Sequence, residues 1–377
     1  MSLADLTTLR VGGDAQETFA PETPDELIET VRDVWSDGGD WLLLGGGSNV
    51  VISDDGFDGS VIRVVTRGVE RVSPETAAVR PSAYLGDRAV RLRVQAGEPW
   101  DELVAQSVEN GWAGIEALSG IPGSSGAAPI QNIGAYGQEI GSSLVAIEFL
   151  DYLTGELGRI PATRLGLGYR TSLLKQGRDG LVVSIELELT ESTPGHPALS
   201  QPVAYPQLAD ALGVRIGDRV PLRDLRETVL VLRASKGMLL SPDDPNSRSA
   251  GSFFTNPIVS ENFARGLPAD APRWPTSPEG ESVAVPLGEA PAEPPVSGEY
   301  LVKLSAAWLI EKSGISRGFS LPGSRAAVSS VHTLALINTG GATAAEIVEL
   351  ARYVQTRVFA EFGVRLQAEP VLVGLSL

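Results

Sequence analysis

The 377 residues contain no cysteine, which removes disulfides, thiolate catalysis, iron–sulfur clusters and cysteine-ligated zinc from consideration. Histidine is almost as scarce: His196 and His332 are the only two, leaving little material for a transition-metal site. Positive charge is short as well, with 30 Lys and Arg against 47 Asp and Glu and a formal net charge of −17. That balance argues against wrapping nucleic acid or docking on an anionic bilayer. Only four of the cations are lysines, Lys175, Lys236, Lys303 and Lys312, so an anionic small molecule has to be met by basic residues gathered locally. No apolar run approaches the ~18 residues of a membrane span. The start, MSLADLTTLRVGG, lacks the basic end and apolar centre of a signal peptide. The expected location is the cytoplasm, with no metal, membrane or nucleic acid as partner.

A chain of this length with 42% hydrophobic residues can bury two or three domain cores. Thr23-Pro24-Asp25-Glu26 reads as N-cap, N1 proline and capping-box glutamate, opening a helix with Leu27, Ile28, Val31 and Val34 on one face. Trp41–Leu44 and Val50–Ile52 read as strands around the turn Gly45-Gly46-Gly47-Ser48-Asn49. The alternation from Val61 to Gly97 predicts antiparallel strands with one wet face. A helix follows from Trp100, burying Leu103, Val104 and Val108 and stopping at Asn110-Gly111. Leu144–Leu150 and Leu181–Leu189 read as strands. Residues 191–226 form a looser passage with an amphipathic piece at Leu208–Leu212, and a helical pattern resumes over Val229–Met238. Residues 265–299 hold eight prolines and read as an exposed, mobile insertion. Val302–Gly314 is amphipathic, Leu334–Asn338 is a strand, and Thr343 to Glu346 form a second capping box, opening a helix that Gly363 ends. The pattern is α+β.

Leu118–Gly141, LSGIPGSSGAAPIQNIGAYGQEIG, carries six glycines and one charged side chain, Glu139. Such a segment lets bare backbone approach a flat, partly apolar ligand and present N–H donors. The turn Gly45–Asn49 fits neither a dinucleotide fingerprint nor a P-loop, because it opens into a strand instead of a helix. It can still form an anion-binding nest, although a tight structural turn would look much the same. In Ala250-Gly251-Ser252-Phe253-Phe254-Thr255-Asn256-Pro257 the serine is not in a nucleophile elbow. It reads equally as a turn-capping serine or as a proton donor. Glu369, in the apolar VRLQAEPVLVG, is by itself more often a solvent-exposed strand end than an acid partnered in a cleft. Arg170 and Lys236, taken singly, read as surface charges.

In order and spacing, TTLRVGGDA, LLLGGGSNVVISDDG, LSGIPGSSGAAPIQNIGAYGQEIG, YRTSLLK, AGSFFTNP, VKLSAAWLIEKSG and QAEPVLVG resemble the FAD-dependent UDP-N-acetylenolpyruvoylglucosamine reductases. The resemblance runs nearly end to end and is weakest over residues 191–225 and the proline-rich insertion. It implies a three-domain α+β flavoprotein, with two N-terminal FAD-binding domains of the vanillyl-alcohol-oxidase (PCMH) type and a C-terminal α+β substrate-binding domain. Residues 1–68, joined by 366–377, would form the first, 69–226 the second and 227–365 the third. Non-covalent FAD would be held by Leu44, Gly45, Gly46, Gly47, Ser48 and Asn49 at its phosphates. The flavin side would be lined by Ser119, Gly120, Ile121, Pro122, Gly123, Ser124, Gly126 and Ala127, with Gln131, Asn132, Gly134, Ala135 and Tyr136. The family's catalytic groups fall on Arg170, Ser252 and Glu369. Its substrate contacts fall on Lys236, Asn256, Lys303 and His332, and on Tyr205 as the tyrosine of a substrate loop found in one subclass. NADPH would be the reductant, using the substrate's pocket in turn. Two rival readings remain: an FAD oxidase of the same fold acting on an alcohol or lactone, and a non-catalytic nucleotide-binding protein.

Overall fold

The computed structural model describes residues 1–73, 88–192, 195–276 and 300–377. The first unit contains β1 (Ala15–Phe19), α1 (Pro24–Ser36), β2 (Trp41–Leu44), β3 (Val50–Ile52) and β4 (Phe57–Arg63). β1 and β2 flank β4, both parallel to it. α1 starts where expected: Thr23 Oγ1 accepts the Glu26 amide and the Glu26 carboxylate accepts the Thr23 amide. Its Leu27, Val31 and Val34 pack on Ile62 and on Leu150, Leu181 and Val183 of the second unit.

The second unit is built on an antiparallel sheet in the order β11-β10-β12-β6-β5, with β7 also beside β12. These are β5 (Val69–Val72), β6 (Arg88–Gln95), β7 (Trp112–Ala113), β10 (Leu144–Asp151), β11 (Leu157–Pro161) and β12 (Gly180–Glu191). The short ladder β8 (Gly134–Ala135) with β9 (Gln138–Glu139) stands apart. α2 (Trp100–Glu109) buries Leu103, Val104 and Val108, and Gly111 follows it at φ +75°. The expected wet face exists on β6. Val90, Leu92 and Val94 point inward, while Arg91 and Arg93 pair outward with Glu188 and Glu186 at 2.7 and 3.4 Å. The expectation of antiparallel strands throughout 61–97 needs correcting at its start, because Val61–Arg63 finish β4 in the parallel sheet.

α3 (Pro206–Leu212) and α4 (Leu222–Ala234) follow. The helix expected over Val229–Met238 therefore begins seven residues earlier and ends at Ala234. Pro221 sets the entry, and Leu222, Leu225, Val229 and Arg233 form its buried stripe, a pattern the polar RDLRET run disguises. α4 packs with α3 and Ala117 through Leu225, Val229 and Leu208, so a boundary after residue 226 would cut a continuous helix.

The third unit holds β13 (Ile258–Ser260), α5 (Glu261–Arg265), β14 (Arg273–Thr276), β15 (Leu301–Leu304) and α6 (Ala306–Lys312), followed by β16 (Ala326–Val328), β17 (Leu336–Asn338) and α7 (Ala344–Phe362). β15 runs between β13 and β14. The proline-rich stretch is thus folded at its beginning: Leu267 and Ala271 are buried and Arg273–Thr276 pair with β15. Residues 277–299, the rest of the expected insertion, lie outside the described residues. Val302–Gly314 divides into strand and helix, with Leu304 and Leu309 buried and Trp308 partly so.

β18 (Val371–Val373) leaves this unit and pairs in parallel with β3. Three further contacts fix the junction. Asp54, just after β3, accepts the Ala344 and Ala345 amides at the start of α7 at 2.7 and 2.9 Å. Asn338 Nδ2 donates to the Leu9 and Arg10 carbonyls, and its Oδ1 accepts the Gly340 and Ala342 amides. Leu9, Val11 and Val51 share one apolar core with α6 and α7.

Capping interactions of this kind contribute about 1 kcal/mol. Asp54→Ala is expected to lower stability by about that amount, read as a lower denaturation midpoint, with Asp54→Asn recovering part of it. An unmoved midpoint in the alanine variant would show that Asp54 does not hold α7.

Candidate active site

β2 and β3 aim the turn Gly45–Asn49 at the glycine stretch of the second unit. The approach is backbone to backbone: a Cβ on Gly46 would stand 2.7 Å from Gly123 Cα, and one on Gly45 would strike the Ser124 hydroxyl. Gly47 has φ +60°, and its added Cβ would overlap the Leu6 carbonyl. Only glycine fits all three positions. Ser48 Oγ donates to the Pro122 carbonyl at 3.0 Å. Among the described residues, the Gly46, Gly47, Ser48 and Asn49 amides find no acceptor, which leaves a row of free donors suited to phosphate.

A cavity opens beside this turn, walled by Leu42–Val50, Trp100, Ile121–Ser124, Ala127, Ala128, Ile130, Gln131, Ile133, Lys175 and Val371. A neighbouring cavity shares Leu42, Leu43, Gly45, Ser124, Ala127 and Ile130, and extends past Gly126 to Trp41, Val64, Phe149 and Val182. A ligand with apolar ring systems and a central pyrophosphate fits this pair of cavities, and FAD is such a ligand.

Arg170 stands in the left-handed region at φ +55°. Its Nη2 donates to the Gly134 carbonyl at 2.6 Å, and its Nε lies 3.2 Å from Glu369 Oε1. Asn132, also left-handed at φ +46° and buried, holds this part of the glycine stretch. Its Nδ2 donates to Glu139 Oε2 and the Gly168 carbonyl, and its Oδ1 accepts the Gly141 amide. Ser252 is delivered by the neighbouring backbone. Gly251 turns at φ +75°, Phe253 and Phe254 are fully buried, and the Phe253 carbonyl accepts the Glu369 amide at 2.9 Å. Serine and glutamate thus emerge from segments that the isolated Phe254–Ala368 bridge sets side by side, 117 positions apart in sequence.

Burial pushes the Glu369 carboxyl above its usual range, against the pull of Arg170 and Lys175. Burial likewise lowers the Lys175 ammonium, opposed by Glu369 and reinforced by Arg170. Tyr169 is hydrogen bonded to Asn256, with Lys303 Nζ 4.8 Å from its ring centre and the Arg170 guanidinium 5.5 Å from it. Asn256 Oδ1 accepts the Ala306 amide that begins α6.

A second group lies past the end of α4. Lys236 Nζ donates to Gln207 Oε1 at 2.7 Å and sits 5.4 Å from the Tyr136 ring centre, while Tyr205 meets Tyr136 edge to face at 5.8 Å. Burial, together with the charges of Lys236, Arg317 and Arg233, lowers His332 from 6.5 to about 4. Tyr136 therefore stands with Tyr205 and Lys236, not on the cavity wall. Ser119 and Gly120 lie behind the wall: Ser119 Oγ donates to the Glu116 carbonyl, and the Gly120 amide to Asp101 Oδ1, which also binds Arg226. Asn132, Gly134 and Ala135 carry or flank the carbonyls that face Arg170 and do not line either cavity. Tyr169 and Lys175 were not singled out from the sequence, although both lie in YRTSLLK and lysine is rare enough to mark its positions.

Free amides in a glycine turn, two adjoining cavities and a half-buried cation–carboxylate pair beside them suit a flavoprotein oxidoreductase. The FAD binding domain model matches residues 15–160. The model for the C-terminal domain of UDP-N-acetylenolpyruvoylglucosamine reductase matches residues 243–373. The chain is 59% identical to UDP-N-acetylenolpyruvoylglucosamine reductase of Leifsonia xyli, over 100% of this chain and 99% of that protein. It is 46% identical to that of Thermobifida fusca, over 100% and 97%. The crystal structure of the Thermus caldophilus enzyme (MurB) matches with a TM-score of 0.60 at 25% identity, covering 99% of this chain and 97% of that one. The chain belongs to the UDP-N-acetylenolpyruvoylglucosamine reductase family and is an FAD-dependent oxidoreductase. Among the described residues no helix is long and apolar enough to cross a membrane, and no group of His, Cys, Asp or Glu could hold a metal.

His332 supplies a pH test. Between 6.5 and about 4 the unfolded chain takes a proton at this residue that the folded chain refuses, so stability falls as the pH drops through that window. The full loss is on the order of 3 kcal/mol. His332→Gln is expected to flatten this limb when denaturation midpoints are measured from pH 7 to pH 4. An acid limb as steep as that of the unmodified protein would contradict it.

Proposed function

We propose that the protein reduces the enolpyruvyl group of UDP-N-acetylglucosamine enolpyruvate to UDP-N-acetylmuramate, using NADPH through bound FAD. The setting is peptidoglycan precursor synthesis in the cytoplasm. The observation that carries the reading is the convergence of Arg170, Glu369 and the Ser252 loop at the edge of the cavity that fits FAD. When bound, FAD supplies the two-electron transfer that saturates the enol ether's double bond. Binding, charge stabilisation and proton delivery fall on the chain itself.

Reduction of an enol ether bearing a carboxylate builds negative charge on that carboxylate and the adjoining carbon. Arg170 is fixed by Gly134 and Glu369 and places a cation against that charge in a site of low dielectric, where it counts for most. Ser252 gives a proton to the adjoining carbon. Glu369, raised by burial, stabilises the enol-like species and poises that proton. Lys236, Asn256 and Lys303 meet the diphosphate of the UDP sugar, with Tyr205 and His332 on the same side. Gly45–Asn49 bind the FAD pyrophosphate, and Ile121–Ser124, Ala127 and Gln131 border the isoalloxazine. Residues 1–68 with 366–377 form the first cofactor domain, 69 to about 221 the second, and the remainder up to 365 closes over the substrate, with α4 as the bridge.

The decisive experiment is an anaerobic two-step reaction. NADPH should bleach the yellow protein, and the UDP-enolpyruvyl sugar should restore the colour. Ser252→Ala should bleach at the normal rate yet regain colour at least a hundredfold more slowly, the scale of a lost proton donor. Equal damage to both steps would remove Ser252 from the proton-donor role, and a colour that the sugar cannot restore in the unmodified protein would overturn the substrate.

A further inference from the structure

Among the described residues, Lys175 is the one charged side chain on the wall of the cavity beside the glycine turn, and the roles assigned above leave it unused. Its position is built, not incidental. Ser172 Oγ accepts the Lys175 amide at 3.2 Å and donates to the carbonyl of Ile130, itself part of the cavity wall. The ammonium donates to the Glu369 carbonyl at 3.1 Å, and Asn49 Nδ2 reaches the same oxygen at 3.4 Å. The Glu369 carboxylate is already engaged by Arg170. Lys175 therefore meets only the backbone oxygen of Glu369, while Arg170 holds the carboxylate, and the lysine stands as a cation among mostly apolar walls.

We infer that Lys175 is the charge that favours the reduced form of the bound cofactor, so that it sets the reduction potential of the site. The inference rests on the reading that this cavity holds FAD. Reduction by two electrons and one proton, all three supplied by NADPH as it becomes NADP⁺, adds one negative charge to the cavity. In the adjoining cavity Arg178 is paired with Asp151, so among the described residues Lys175 is the cation left to balance that charge. Arg170 is committed to Gly134 and Glu369 on the substrate side, whereas Lys175 faces the cavity itself. An ammonium in apolar surroundings interacts far more strongly with a new charge than one in water. The half-buried lysine thus assists the first half of the catalytic cycle, and Arg170 and Ser252 serve the second. Removing it should weaken the cofactor as an electron acceptor while leaving the neutral, oxidised cofactor in place.

The test is the reduction potential of the bound flavin in Lys175→Met, Lys175→Arg and the unmodified holoenzyme, with FAD affinity followed by fluorescence. Lys175→Met is expected to bind oxidised FAD nearly as well as the unmodified protein. Its ratio of reduced to oxidised flavin at a fixed potential should fall at least tenfold, a shift of about 30 mV for two electrons, and bleaching by NADPH should slow in parallel. Lys175→Arg should restore most of both. An unmoved potential in Lys175→Met with FAD bound overturns the assignment. If Lys175→Met takes up no FAD, the arginine variant decides, and a failure there to recover the potential overturns the assignment too. An unmodified protein that takes up no FAD would instead overturn the cofactor reading on which the inference stands.

Discussion

A single guanidinium ties the molecule together. Arg170 reaches the Gly134 carbonyl in the glycine stretch and the carboxylate of Glu369 near the far end of the chain, so the second unit and the C-terminal segment meet at its nitrogens. To do so its backbone adopts φ +55°, and Asn132 opposite adopts φ +46°, conformations that cost on the order of 1–3 kcal/mol each for residues other than glycine. Asn132 is held there by three hydrogen bonds of its own side chain. The strain is kept in place by that network, and what it yields is an arginine whose direction is settled before any ligand arrives.

The charge pattern follows the same logic. A protein of net charge −17 that handles a dinucleotide and a UDP sugar must concentrate its cations. Lys175 lies on the cofactor cavity, Lys303 against Tyr169 beside Arg170, and Lys236 against Tyr136. The fourth lysine, Lys312, pairs with Asp270 at the surface. The acidic surface repels anions in general, and three of the four lysines stand instead at the cavity wall or against Tyr169 and Tyr136.

Much of this could be read directly from the sequence. Capping boxes at Thr23 and Thr343 act within four residues, so α1 and α7 were visible without tertiary context. Glycine runs marked the places where backbone approaches backbone. Other features are long-range. α4 escaped notice before Val229 because its N-terminal turn is mostly charged and its apolar stripe faces α3 and Ala117. The parallel setting of β4 depends on β1 and β2, and no local alternation encodes which neighbour a strand will find. Glu369 alone looked like a strand end. The ordered motifs marked it out, and folding sets it beside Phe253, whose carbonyl takes the Glu369 amide. Tyr136, placed among the cofactor contacts by the family resemblance, has a left-handed backbone and meets Tyr205 and Lys236. Lys175 could have been found from the rarity of lysine, but its cavity could not.

The pairing of β18 with β3 has a temporal side. A ribosome finishes Val50–Ile52 long before it makes Val371–Val373, and domains ordinarily begin to fold as they emerge. Here the first unit waits for its last strand, and Glu369 waits with it, two residues before that strand begins. Until that strand is in place, the glycine turn lacks the Glu369 carbonyl that receives Asn49 and the backbone amide of Val371 that donates to the Asn49 carbonyl. The glycine turn and the Arg170–Glu369 pair are therefore completed by one and the same late-made segment.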